Sequence, residues 1–109
     1  MFGMNKSVPT ISADDLKNLI DSKEEITIVD VRTPQELSRG MIEGSINIPL
    51  DQIQDAEKFL KDNNAKLYVY CLSGSRSIVA VDQLIKMGYK NSVHVESGLL
   101  AWRIKYPLV

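Results

Sequence analysis

The sequence predicts an α/β domain built on a mainly parallel sheet. Short, apolar, β-branched runs alternate along the chain with segments whose apolar residues recur at helical spacing. The clearest runs, Ile26 to Val31 and Lys66 to Cys71, are nearly continuous in apolar side chains, as strands covered on both faces must be. A length of 109 residues suits one domain with a single core. Residues 1–7 read as an amino-terminal tail ahead of a domain spanning 8–109.

The elements follow in order. Ser7 to Ile11 is a short strand, and Pro9 places it at a sheet edge. Ser12 caps a helix, with Asp15 three residues on, and Leu16, Leu19 and Ile20 form its buried side. After the Ile26–Val31 strand, Thr33 caps a short helix. Pro34 takes its first position, Glu36 reaches back to the cap, and Gly40 ends it. Ser45 to Ile48 is a brief strand stopped by Pro49. Asp51 to Asn63 is a helix with Ile53, Ala56, Phe59 and Leu60 on one side. The Lys66–Cys71 strand leads through a polar loop to a helix from Ser77 to Met87, ended by Gly88. Ser92 to Val95 is a further strand, and Gly98 opens a last helical turn around Trp102. Trp102 and Phe59 are read as core aromatics.

Composition excludes several classes. Hydrophobic residues make up 44% and charged residues 25%, which is ordinary for a globular domain and unlike a disordered or collagen-like chain. Thirteen basic residues against fourteen acidic ones leave a net charge of −1, so no nucleic-acid partner is expected. No apolar run is long enough to cross a bilayer, and MFGMNKSVPTIS has no secretory pattern. No membrane partner is therefore expected, and the cytoplasm is the expected location. One cysteine and one histidine rule out an internal disulfide and the usual zinc sites. Neither a metal nor another cofactor is expected.

The chemistry concentrates at Cys71. It ends a buried strand and precedes the loop Leu72-Ser73-Gly74-Ser75-Arg76 and a helix beginning near Ser77. Open α/β sheets bind ligands at such strand ends. Small loop residues let backbone N–H groups converge on an anion, the helix start adds positive partial charge, and Arg76 adds a full one. All three favour a charged sulfur, so a reactive thiolate at neutral pH is expected. Cys71 is the candidate nucleophile, and Leu72, Ser73, Gly74, Ser75, Arg76 and Ser77 are the candidate substrate-binding residues. A buried, inert cysteine is the alternative. Asp30 and Arg32 are read as structural, and Glu96 and Ser97 as part of the cleft wall. His94, with no second ligand beside it in sequence, reads as a packed or surface histidine.

Several segments together resemble the rhodanese family of sulfurtransferases. CLSGSRS is similar to its active-site loop, and Ile28 to Arg32 to its strand with the DVR signature. Gly40 to Pro49 resembles the segment usually written GHIxGAxNIP, and Gly88-Tyr89 and Gly98 to Trp102 resemble its terminal pattern. Met41 stands where the family usually has His, Ser45 where it has Ala, and Ser97 where it has the first Gly of a pair. The resemblance implies a rhodanese-like three-layer domain, a five-stranded mainly parallel sheet flanked by helices on both faces. It also implies a thiosulfate sulfurtransferase: a small anionic donor gives its sulfane sulfur to Cys71, and the persulfide passes it to an acceptor. No second cysteine is present, so that acceptor is external, a thiol (a protein thiol among the candidates) or cyanide. A monomer is the default at this size.

Two other readings remain at this point. A non-catalytic rhodanese-like binding or regulatory module would share the fold. A cysteine-dependent phosphatase or arsenate reductase would share the thiolate and the arginine. Such enzymes usually space the two by five residues, and here only Leu72 to Ser75 intervene.

Overall fold

A computed structural model describes residues 3–5 and 8–109 of the chain, with side chains from Val8 onward. Gly3–Asn5 forms β1, Val8–Ile11 β2, Ala13–Asp21 α1 and Thr27–Asp30 β3. A 3₁₀ segment, Pro34–Arg39, precedes β4 at Ile46–Asn47, and a second, Leu50–Lys58, follows it. Leu67–Tyr70 is β5, Ser75–Lys86 is α2, Ser92–Val95 is β6 and Gly98–Lys105 is α3.

The sheet runs β1-β2-β6-β5-β3-β4. Its five strands from β2 to β4 are parallel, as expected, and β1 joins the β2 edge antiparallel. Gly3–Asn5 thus extends the sheet from within the segment read as a tail; residues 1–2 and 6–7 of that segment, and Ser7 of the expected edge strand, lie outside the described residues. Alternation along the strands divides the core in two. Val29, Val31, Val69 and Cys71 face α2 and the Leu50–Lys58 segment, and meet Ala80, Val81, Leu84, Ile53 and Ala56. Ile28, Tyr68, Tyr70, Val93 and Val95 face α1 and α3, and meet Leu16, Leu99 and Trp102. The result is three layers, helices over both faces of a parallel sheet.

Local chemistry sets most element boundaries. The Ser12 hydroxyl accepts from the Asp15 N–H at 3.1 Å and caps α1. Leu16 is fully buried, with Leu19 and Ile20 half-buried beside it. Asp30 and Arg32 are structural, as read. The Arg32 Nε donates to both Asp30 oxygens at 3.0 Å, and its Nη2 donates to Asp30 Oδ2 and to the Gly40 carbonyl, each at 2.7 Å. This buried pair ties the end of β3 to the far end of the first 3₁₀ segment. Ser45, in place of the family's alanine, donates to the Ile42 carbonyl at 2.6 Å and lies 3.1 Å from the Tyr70 hydroxyl. Met41 pairs its backbone with Val109 in both directions, so the family's histidine position here anchors the carboxyl terminus.

Three expectations are corrected. Asp51 to Asn63 is not an α-helix: the 3₁₀ segment Leu50–Lys58 stands there, interrupted at Asp55 by φ −98° and ψ 19°. Its buried residues, Ile53 and Ala56, are three apart, which matches three residues per turn. Phe59 is 45% exposed rather than in the core, and Leu60 fills the core instead, its carbonyl held by the Tyr89 hydroxyl at 2.8 Å. Finally, α2 begins at Ser75, two residues before the expected start. Gly74 reaches φ +115°, a conformation open to glycine, and so turns the chain directly into the helix.

Candidate active site

Strand β5 delivers Cys71 to the carboxyl edge of the sheet, and α2 starts four residues later. The Gly74 N–H points back at Cys71 and lies 3.1 Å from Sγ. The first N–H groups of α2 have no preceding helical carbonyl to bond, so the helix start behind Gly74 carries positive partial charge. Two more contacts fix the loop from behind. Leu99 N–H donates to the Cys71 carbonyl at 2.9 Å, and Leu100 N–H to the Leu72 carbonyl at 3.0 Å. The first turn of α3 thus holds the carbonyls of the loop's first two residues away from the sulfur. Gly98 makes this approach possible: a Cβ there would collide with the Cys71 carbonyl and stand 2.8 Å from that of Leu72.

Cys71 is fully buried beneath its loop. Ser73 and Ser75 are exposed, Leu72 and Arg76 half-buried, and Gly74 and Ser77 buried. The Leu72 side chain packs partly against the core of the α1–α3 face. A groove of about 390 Å³ opens next to Arg76, lined also by Val31, Thr33, Pro49, Leu50 and Asp51. Another, of about 420 Å³ and largely apolar, lies at the amino ends of the strands around Ile26, Tyr68 and Val93, away from the thiol.

Two residues matter here in ways the sequence did not indicate. Glu36, expected only as a cap, takes Arg76 in a two-pronged ion pair at 2.7 and 3.0 Å while also accepting from the Thr33 N–H at 3.2 Å. Arg76 holds the Glu36 carboxyl down at about 2. The Arg76 charge therefore reaches the site already partnered. His94 is fully buried on the same face of the sheet as Cys71, and its Nδ1 lies 2.8 Å from the Ser77 hydroxyl. Burial pushes the imidazole below its ordinary range. The Ser77 oxygen in turn lies 3.6 Å from Cys71 Sγ and 3.2 Å from the Gly74 carbonyl. Linear sequence hides this cluster, because β5 and β6 become neighbours only in the sheet, where His94 pairs with Val69.

This loop, its helix and the parallel sheet beneath them define a domain class, and comparison with known proteins identifies it. The Rhodanese-like domain family matches residues 12–105, and the chain belongs to that family. A rhodanese-related protein from Thermoplasma volcanium is 40% identical and superposes with a TM-score of 0.81, covering 92% of this chain and 96% of that one. A sulfurtransferase of Allochromatium vinosum is 31% identical over 96 residues, 87% of this chain and 88% of its own length. A putative sulfur carrier protein of Bacillus subtilis is 34% identical over 96 residues; the match takes in 88% of this chain but about half, 51%, of that protein. These relatives support a role in sulfur transfer of the rhodanese type. Among the described residues, no helix is long and apolar enough to cross a membrane.

Proposed function

We propose that this protein is a sulfurtransferase that carries sulfane sulfur as a persulfide on Cys71. The observation that carries the reading is the Gly74 N–H aimed at Sγ from the start of α2. A preorganised donor there stabilises negative charge on the thiolate, and an added sulfur meets the same helix start. The donor is a small anion of the thiosulfate type. The Cys71 thiolate attacks its outer sulfur, a new S–S bond forms, the old one breaks, and sulfite leaves with the bonding pair. A thiol or cyanide from outside then attacks the terminal sulfur of the persulfide and releases Cys71 as thiolate. The groove beside Arg76 is the approach, and because Cys71 is fully buried, loading requires the loop to move and uncover the sulfur. The cytoplasm, where a lone thiol stays reduced, is the compartment that fits this cycle.

Intact-mass measurement after incubation with thiosulfate tests the reading. The native chain is expected to gain one sulfur atom, lost again on adding cyanide, and Cys71→Ser to gain none. A native chain that stays at its unmodified mass with thiosulfate and with 3-mercaptopyruvate would sink the proposal and favour a binding module.

A further inference from the structure

We propose that His94 is a positioning residue that, acting through the Ser77 hydroxyl, takes up the proton of the Cys71 thiol. The three groups form an unbroken chain, Sγ to Oγ at 3.6 Å and Oγ to Nδ1 at 2.8 Å. The longer step suits sulfur, whose hydrogen bonds exceed those between first-row atoms. The Ser77 hydroxyl, which reaches the Gly74 carbonyl at 3.2 Å, turns its proton to the nearer Nδ1; the S–H proton then moves to the Ser77 oxygen while the Ser77 proton moves to His94 Nδ1. The products are a thiolate, an intact hydroxyl and an imidazolium, so protons and charge balance. The Ser77 hydroxyl then has its oxygen occupied by the Nδ1–H and its own proton free to turn toward the sulfur. Before the transfer the imidazole is neutral, because burial disfavours its charged form, and the thiolate formed in the same step supplies the counter-charge for the imidazolium.

Position supports the assignment. Ser77 and His94 are both buried and lie on the Cys71 face of the sheet. His94 is flanked in the strand register by Val69 and by Thr10, whose hydroxyl donates to the Val8 carbonyl. Among the described residues, the charged groups near this end of the sheet include Arg76 on α2, Glu36, which it clasps, Asp51 in the groove beside Arg76, and exposed Glu96 after β6. The Asp30–Arg32 pair lies toward the opposite face, beside Tyr70. Gly74 leaves room for the imidazole, since a Cβ there would come within 3.3 Å of His94 Cε1.

The inference rests on Cys71 being the reacting sulfur, but its test does not use sulfur transfer. Alkylation of Cys71 by iodoacetamide is followed from pH 6 to pH 10 in the native chain, His94→Asn, Ser77→Ala and the double variant. Asn keeps a polar partner for Ser77 but takes up no proton. Thiolate alone reacts, so losing the proton acceptor is expected to slow alkylation about tenfold at pH 7 and leave the rate at pH 10 unchanged. The double variant is expected to react no more slowly than Ser77→Ala. Native-like alkylation at pH 7 in His94→Asn would overturn the proposal. So would an equal slowing at every pH, which marks a merely structural role, or additive losses in the double variant. Far-ultraviolet dichroism and urea unfolding confirm that each variant is folded, and Ser77→Ala carries the same test if His94→Asn is not.

Discussion

Replacing Glu36 with Gln removes one charge from the clasp on Arg76 and leaves the turn's geometry in place. A glutamine oxygen at Oε1 still accepts from the Thr33 N–H, which the carboxylate now does at 3.2 Å. What is lost is the charge-assisted pair with Arg76 at 2.7 and 3.0 Å. The depression of Glu36 from 4.5 to about 2 sets an upper limit for the pair of about 3 kcal/mol. Both side chains remain partly open to water, 24% for Glu36 and 33% for Arg76, and solvent screening brings the expected contribution to about 1 kcal/mol. The sign follows from the direction of the shift. A carboxyl depressed in the folded state stabilises fully above its unfolded value and loses that contribution as pH falls through the folded one. The window therefore runs from about pH 4.5 down to about pH 2. Urea unfolding across this range should show Glu36→Gln about 1 kcal/mol less stable than the native chain at pH 7, with the gap closing toward pH 2. The same variant frees Arg76 to face the donor, so the KM for thiosulfate should fall about threefold, corresponding to roughly 0.6 kcal/mol. A stability gap that is constant with pH, or absent at pH 7, would refute the reasoning.

Two further substitutions probe the loop's support. Gly98→Ala places a Cβ against the Cys71 and Leu72 carbonyls, so it should cost about 2 kcal/mol in urea unfolding and slow sulfur loading, as the α3 turn is pushed off the loop. Ser97→Gly should act the other way. Ser97 sits at φ +59°, where the family usually has glycine, and relieving that strain should raise stability by about 0.5 kcal/mol after glycine's own entropy cost, read as a small rise in thermal midpoint.

How much of this was legible in sequence differs from element to element. β3 and β5 were plain because their apolar runs are continuous, and α1 because Ser12 and Asp15 spell out its cap. The Asp51–Asn63 stretch reads as an α-helix because Ile53, Ala56 and Leu60 follow α spacing, whereas the 3₁₀ segment that forms holds only Ile53 and Ala56, three apart, and breaks at Asp55. The early start of α2 was hidden in Gly74, whose left-handed geometry the sequence permits but does not require.

By itself the sequence determined the layered class of the domain and the place of its one thiol, since both depend on local features: apolar periodicity, small loop residues and a strand running into a helix. Tertiary structure alone decided that Glu36 would neutralise Arg76 across 40 positions and that His94 would stand behind Ser77. Those partnerships depend on which strands become neighbours and which face each residue takes. Such choices are set by packing of the whole sheet, which no short stretch of chain encodes.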